Sequence, residues 1–356
     1  MQKKREYSLD ILKCIGVITI IFHHYQQITG AYFEKGINFW NGNFNWAYFV
    51  ELFFILSGYF TYKNVENINE NSEFLKFFKK KYFRFFPILL ISGIGCLIAE
   101  FILFVVTIEQ PLPYTMWDII TGLTGTHYWV ESLGTSTMLN YAMWYISVLF
   151  LCYIVFFFTT YAARRWKISP FVLYVVVLCV GNSMRIIGYA YTITLPFFTT
   201  EIGRGYSCFF LGLLLHYVLE KYPIHRKSMS FWVGGAWIAL MIYLYTYKKH
   251  YFGDEWYTLC FLIYPVVIMV FKSEIMCRIF SSERLKHLGG ISFNAFAWHV
   301  PVLRIVFVVA YWMSRNLNSL KAMLMTTSVI FVIGACSHFF IEKPIGKRVN
   351  VWLKEK

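Results

Sequence analysis

The sequence predicts an all-α, polytopic membrane protein of about ten transmembrane helices with both termini in the cytoplasm. Three observations carry this expectation. First, 58% of the 356 residues are hydrophobic and 21% are aromatic, above the apolar share of soluble domains, roughly 45–50%. Second, the excess is gathered in repeated runs of about 20 residues, the length that crosses a bilayer as a helix. Third, the cations separate by loop. The loops on the side of the termini hold 24 of the 33 lysines and arginines, while the opposite set holds Lys35, Lys248, Lys249, Arg315 and Lys321. The positive-inside rule then places both termini in the cytoplasm. The net charge of +14 therefore belongs to membrane loops, and a nucleic-acid partner is not expected.

The expected spans are 8–28, 45–63, 87–108, 139–162, 168–187, 200–219, 229–247, 256–272, 291–313 and 322–340. The first follows Lys3, Lys4 and Arg5, as a signal peptide would, but no small-residue cleavage site comes after it. His24 leads instead into Tyr25, Gln26 and Gln27, so an uncleaved span is expected. Within this span Lys13 and His24 stand eleven positions apart, close to three helical turns. Both side chains therefore share a face, about 16 Å apart along the axis at about 1.5 Å per residue. Ionisable groups inside a span face a bundle interior or a wet cavity and mark functional sites. The plain alternative is a snorkelling lysine and a histidine bonded to a neighbouring helix. His23 points about 100° away from His24 and cannot share the face of Lys13.

Between spans two and three, residues 73–86 mix aromatics with Lys76, Lys79, Lys80, Lys81 and Arg84 before Pro87. A helix here is expected in the cytoplasmic interface, as an anchor to anionic lipid or as a docking patch for an anionic cofactor. The longest outer connection, roughly 109–138, has no lysine or arginine but carries Glu109, Asp118, His127 and Glu131. With Tyr32, Phe33, Trp40 and Trp46 it could line an aromatic, weakly acidic vestibule suited to sugar rings, or belong to the interfacial aromatic belt. Arg204 has Glu201 three residues before it, which suggests a local ion pair. Eight scattered cysteines show no metal-ligand spacing and read as small core hydrophobes. No metal is expected. There is no internal repeat, phosphate loop or low-complexity linker. Residues 1–356 read as one membrane domain, with a short tail after 340 and no fused soluble domain.

Several stretches together resemble the acyltransferase 3 family of integral-membrane O-acyltransferases. Leu9-Asp10-Ile11-Leu12-Lys13 followed by His24 is similar to that family's opening. Val50-Glu51-Leu52-Phe53-Phe54-Ile55-Leu56-Ser57-Gly58-Tyr59 is similar to its second-span motif, with Glu51 where Asp is common. Lys80-Lys81-Tyr82-Phe83-Arg84-Phe85-Phe86-Pro87 resembles its basic signature, with Lys80 and Lys81 in place of Arg. Trp144-Tyr145-Ile146 resembles its Trp-Tyr-Leu. Ile291 to Pro301, with Ser292, Phe293, Phe296 and His299, resembles the motif near its end, and Glu342-Lys343-Pro344 matches its closing triplet. Lys13 stands where the family has Arg and lacks the bidentate fork.

The resemblance implies transfer of an acyl group, most often acetyl, from cytoplasmic acyl-CoA to a hydroxyl of an extracytoplasmic polysaccharide or its lipid-linked precursor. It implies His24 as general base or acyl-accepting nucleophile, with Lys13 nearer the donor. Lys80, Lys81, Arg84 and Arg204 would hold the anionic donor, acetyl-CoA. Glu51, Ser57, Trp144, Tyr145, His299 and Glu342 form a second tier. Ser57 also fits simple helix packing, and His299 also fits a cap near the helix break at Pro301. The expected partners are acyl-CoA, a carbohydrate acceptor, the lipid bilayer and separate glycan-biosynthesis proteins. The expected location is a bacterial cell membrane. Competing readings are succinyl or other acyl transfer to a different acceptor, a transporter of glycan intermediates, and a catalytically inactive regulator. A transporter is disfavoured by the lack of an inverted repeat and of paired broken half-helices.

Overall fold

A computed structural model of the chain describes residues 7–42, 44–70, 73–107, 114–130, 139–222, 227–247, 255–313 and 315–352. In chain order the helices are α1 (Tyr7–Thr29), α2 (Phe49–Thr61), α3 (Phe74–Thr107), α4 (Met116–Thr124), α5 (Trp144–Arg165), α6 (Pro170–Tyr191), α7 (Thr200–Lys221) and α8 (Lys227–Tyr247). Then follow α9 (Glu255–Phe271), α10 (Glu274–Ile279), α11 (Leu288–Trp312), α12 (Leu320–Ser337) and α13 (Lys343–Trp352). Among the described residues there is no strand, only an isolated bridge between Leu195 and Phe198. A helix lies at each of the ten expected spans. Seven are long and apolar enough to cross a membrane by length and composition. The other three are shorter: α2 has 13 residues, and the apolar stretches of α8 and α9 are Ser230–Tyr243 and Glu255–Phe271.

Local chemistry sets the helix ends. Thr115 and Asp118 form a reciprocal capping box at the start of α4, and Gly125 closes it at φ 72°. Thr199 accepts from the Ile202 amide at 3.2 Å to start α7, and Ser319 accepts from Ala322 at 3.1 Å to start α12. Pro170 sits in the first turn of α6, where its missing N–H is harmless.

Two helix boundaries differ from expectation. The basic stretch 73–86 is not a separate interfacial helix stopping at Pro87. It is the opening of α3, which runs through Pro87 without a break. Its aromatic rings are the reason: Phe77 packs on Phe156 and Phe157, and Tyr82 packs on Phe150 and donates to the Thr124 carbonyl at 3.0 Å. Packing on α5 and α4 holds the segment helical despite the lost proline bond. At the other end, residues after 340 continue α12 through a π-helical turn at His338–Glu342 into α13.

Small residues allow the closest approach. A Cβ on Gly58 of α2 would meet the Phe209 carbonyl of α7, and a Cβ on Gly212 of α7 would meet the Ile55 carbonyl of α2. Backbones that approach this closely through small residues are the usual glue of membrane helices. The outer faces are apolar: Val172, Val176 and Val180 of α6 and Leu324, Met325, Val329 and Val332 of α12 are exposed. An exposed apolar stripe on a membrane-length helix suits contact with lipid.

Glu109, Glu131, Lys3, Lys4, Arg5, Lys248 and Lys249 lie outside the described residues. Among described residues the vestibule expected from 29–44 folds back onto α1. The Gln26 side chain accepts from the Phe39 and Trp40 amides at 2.5 and 3.1 Å and donates to Asn38 at 2.9 Å. His23, whose ring meets that of His24 edge-on at 5.1 Å, bonds the Phe39 carbonyl at 2.7 Å and meets the Trp40 ring at 5.0 Å. Asp118 is buried in its capping box.

Candidate active site

Lys13 and His24 do lie along one face of α1, and each belongs to a different environment. Lys13 pairs with buried Asp10 at 3.3 Å and stands over the Phe60 ring at 4.7 Å. It lines a cavity of about 1040 Å³. That volume reaches the upper end of the usual range for ligand pockets, roughly 300–1,000 Å³. The cavity wall also carries Lys63, Lys81, Arg84, Lys272, Lys286 and Lys343. All six come from the loop set that contains the termini. The acidic groups on the wall are Asp10, Glu220 and Glu342, so cations prevail.

The basic signature divides on the helix. Lys81 and Arg84, three residues apart on α3, face the cavity. Lys81 reaches Thr61 Oγ1 at 3.4 Å and lies over the Tyr153 ring at 4.7 Å. Lys80, one position earlier, is exposed and does not line the cavity. Arg204, expected on the donor, is placed elsewhere. Its Nε donates to Glu51 Oε1 at 2.6 Å, and Trp256 Nε1 donates to the same oxygen at 2.9 Å. The guanidinium lies over Trp144 at 4.7 Å. Glu51 is fully buried, and a buried carboxylate requires a counter-charge. Its partner is therefore this arginine from α7, and Glu51, Trp144 and Arg204 pack into one cluster whose members do not line the cavity. The nearby Glu201 made a local pair look sufficient; the demand of Glu51 was invisible in sequence.

Ser57 and Tyr145 share a hydrogen bond of 2.8 Å, and Tyr145 also donates to the Phe53 carbonyl at 3.3 Å. Both line the cavity. So does Glu342, on the π turn, which accepts from Asn294 Nδ2 at 2.7 Å and meets His338 Nδ1 at 2.6 Å. His338 continues to His287 at 3.3 Å. The carboxyl-terminal triplet thus leads into a polar relay that the sequence did not reveal, because its members come from two helices and a 3-10 turn. A π turn is a frequent mark of functional sites.

His24 lies outside this cavity. Its Nδ1 donates to Gln27 Oε1 at 2.8 Å, which leaves Nε2 as the accepting nitrogen of the neutral ring. Its ring stacks on His299 at 5.2 Å and meets Tyr141 edge-on at 5.0 Å. His299 is fully buried. Its Nδ1 donates to the Phe296 carbonyl at 2.5 Å, and its Nε2 has no partner among the described residues. The Tyr141 hydroxyl is buried and unpartnered in the same way. Pro301, two residues past His299, cannot donate to the Ala297 carbonyl. Asn140 supplies that bond instead at 3.1 Å, which ties the entry of α5 to α11 beside the histidines. Arg304, one turn further, pairs with Glu100 at 2.9 Å and lies 6.0 Å from the Tyr141 ring centroid.

The arrangement offers a cavity lined mainly by cations and, outside it, an imidazole with an accepting nitrogen beside two polar atoms that have no partner among the described residues. Sequence comparison agrees with this chemistry. A family model described as an acyltransferase domain, that of the acyltransferase 3 family, matches residues 6–341, so the chain belongs to that family. No curated protein and no solved structure gives a significant match.

Proposed function

We propose that this membrane acyltransferase moves an acyl group, acetyl first among the candidates, from cytoplasmic acyl-CoA to a hydroxyl of an extracytoplasmic polysaccharide or its lipid-linked precursor. The observation that carries the reading is the position of α1: Lys13 stands in a basic cavity at one end and His24 stands against His299 and Tyr141 at the other. Lys81 and Arg84 supply charge-assisted contacts for the phosphates of the donor, and Lys13 lines the same cavity. The volume and the cationic lining fit a large anionic thioester.

In this reading His24 Nε2 takes the proton of the acceptor hydroxyl while the oxygen attacks the thioester carbonyl carbon. The carbon–sulfur bond breaks, the ester forms, and the same proton leaves with the thiol. Gln27 holds the imidazole in the tautomer this requires. The stacked His299 ring and the edge-on Tyr141 ring orient it. A general base of this kind typically contributes about 10²–10⁴-fold. Because the six loop cations on the cavity wall belong to the terminal side, the positive-inside rule supports a cytoplasmic donor entrance.

The test is acyl transfer from labelled acetyl-CoA in membranes containing the protein, with analysis of acyl substitution on each surface glycan. Label should enter one glycan in the wild type and none with His24→Ala. Label transfer that persists at the wild-type level in His24→Ala would remove His24 from the mechanism.

A further inference from the structure

The cavity does not reach His24. Three rings that line it, Phe53 of α2, Tyr145 of α5 and Phe296 of α11, pack on one another. Their centroids form a nearly equilateral triangle: 6.0 Å from Phe53 to Phe296, 6.1 Å from Phe53 to Tyr145 and 6.1 Å from Tyr145 to Phe296. All three are almost completely buried. Among the described residues, neither His24, His299 nor Tyr141 belongs to the cavity wall. Phe296 links this wall to the histidines, since its ring also meets His299 at 5.5 Å, and His299 in turn stacks on His24.

The three rings are not equally fixed. Tyr145 is held by Ser57 and by the Phe53 carbonyl. Phe53 has no polar tether, and its ring lies against Gly16 of α1. A Cβ there would stand 3.0 Å from the ring tip, so any larger residue would press on this ring. Phe296 is likewise held by packing alone. An apolar ring can turn aside at modest cost, whereas a passage between rings this close admits little more than a methyl group when they stay near their places.

We infer that Phe53, Tyr145 and Phe296 form the acyl filter: a short, uncharged acyl group passes between them to His24, and longer or charged groups are held back. This rests on the donor reading above and narrows it to small acyl groups. Tyr145 is the fixed jamb, and Phe53 and Phe296 are the rings that yield. A hydrophobic pocket discriminates by about 10–200-fold per methylene, so ring size should control the chain length accepted.

The experiment uses the full-length protein. Binding of free CoA, acetyl-CoA, butyryl-CoA, succinyl-CoA and octanoyl-CoA is measured by calorimetry, and release of CoA from each thioester is followed with a thiol reagent in membranes containing the protein. The wild type should favour acetyl over butyryl and succinyl by at least about tenfold in kcat/KM. Phe296→Ala should shift the butyryl-to-acetyl ratio upward by at least about tenfold, with the Kd of free CoA unchanged within about twofold. Phe296→Tyr, which keeps the ring, should retain the wild-type ratio. Phe53→Leu serves as the second opening if Phe296→Ala fails to accumulate, and should shift the ratio in the same direction. An unchanged ratio in variants that still bind CoA would overturn the filter and leave the donor reading standing. Failure of the wild type to bind CoA or any thioester would overturn the donor reading and the filter with it.

Discussion

The imidazoles of His24 and His299 stack at 5.2 Å with planes 23° apart, although one belongs to the first helix and the other to the eleventh. Neither ring owes its place to the other alone. His24 is tethered through Gln27 and His299 through the Phe296 carbonyl, so each presents Nε2 rather than Nδ1 to its surroundings. The pair is where α1 meets α11.

His24→Ala should lower acyl transfer by about 10²–10⁴-fold while the Kd for acyl-CoA, measured by calorimetry, stays within about twofold. His23→Ala should keep activity within about tenfold. Its bond to the Phe39 carbonyl ties a loop, and losing it should cost about 1 kcal/mol in stability, read as a lower Tm in detergent. Equal loss of transfer in both variants would show that the two histidines act as a relay.

Lys81→Gln and Arg84→Gln should each raise KM for acyl-CoA, by about 5- to 30-fold if a charge-assisted contact of roughly 1–2 kcal/mol is lost. Lys80→Gln should change KM by less than about twofold, because Lys80 is exposed away from the cavity. The three single variants measured side by side decide this. A Lys80 effect as large as that of Lys81 would mean that the donor approaches across the outer face of α3.

Arg204→Leu should leave the buried Glu51 carboxylate without its counter-charge and destabilise the protein by about 3–5 kcal/mol, with KM for acyl-CoA unchanged. The double variant Glu51→Leu with Arg204→Leu should recover much of that loss, since no lone charge is then left in the interior. Thermal unfolding in detergent reads both. If Arg204→Leu raises KM without lowering Tm, the arginine serves the donor after all.

Gly212→Val should prevent the close contact of α2 with α7, because even a Cβ at this position runs into the Ile55 carbonyl. Overpacking typically costs about 1–3 kcal/mol, so expression and Tm should fall, and donor affinity should fall with them, since Ser57 and Tyr59 of α2 line the cavity. Gly235→Val, on α8 where a Cβ meets nothing within 4 Å, is the control and should be silent on both measurements.

Cysteines introduced at positions 32 and 66, in a background lacking the native cysteines, should separate in labelling by a membrane-impermeant maleimide. Both positions are exposed. Position 32 should react in intact cells and position 66 only after lysis. The reverse pattern would turn the basic cavity outward and end the case for a cytoplasmic donor.

What the sequence by itself determined is what depends on local composition and period. Apolar runs of bilayer length placed a helix at every expected span, the loop cations ranked the two sides, and the eleven-residue offset put Lys13 and His24 on one face of α1. These follow from one helix at a time, because 3.6 residues per turn and 1.5 Å per residue hold wherever a helix forms. What only the tertiary structure decided is partnership. Arg204 could be read as a local pair of Glu201 or a phosphate ligand until buried Glu51, from another helix, claimed it. Lys80 and Lys81 look alike in sequence, and packing of α3 on α5 turned one into the cavity and the other away. The 73–86 stretch was legible as basic and aromatic, but its fusion into a helix running through Pro87 depended on rings of α5 that supply the compensating contact. His299 became a neighbour of His24, with Phe296 packed on His299, through the crossing of α1 with α11. Burial energies and counter-charges are properties of pairs of segments far apart in the chain, and no pattern within either segment records them.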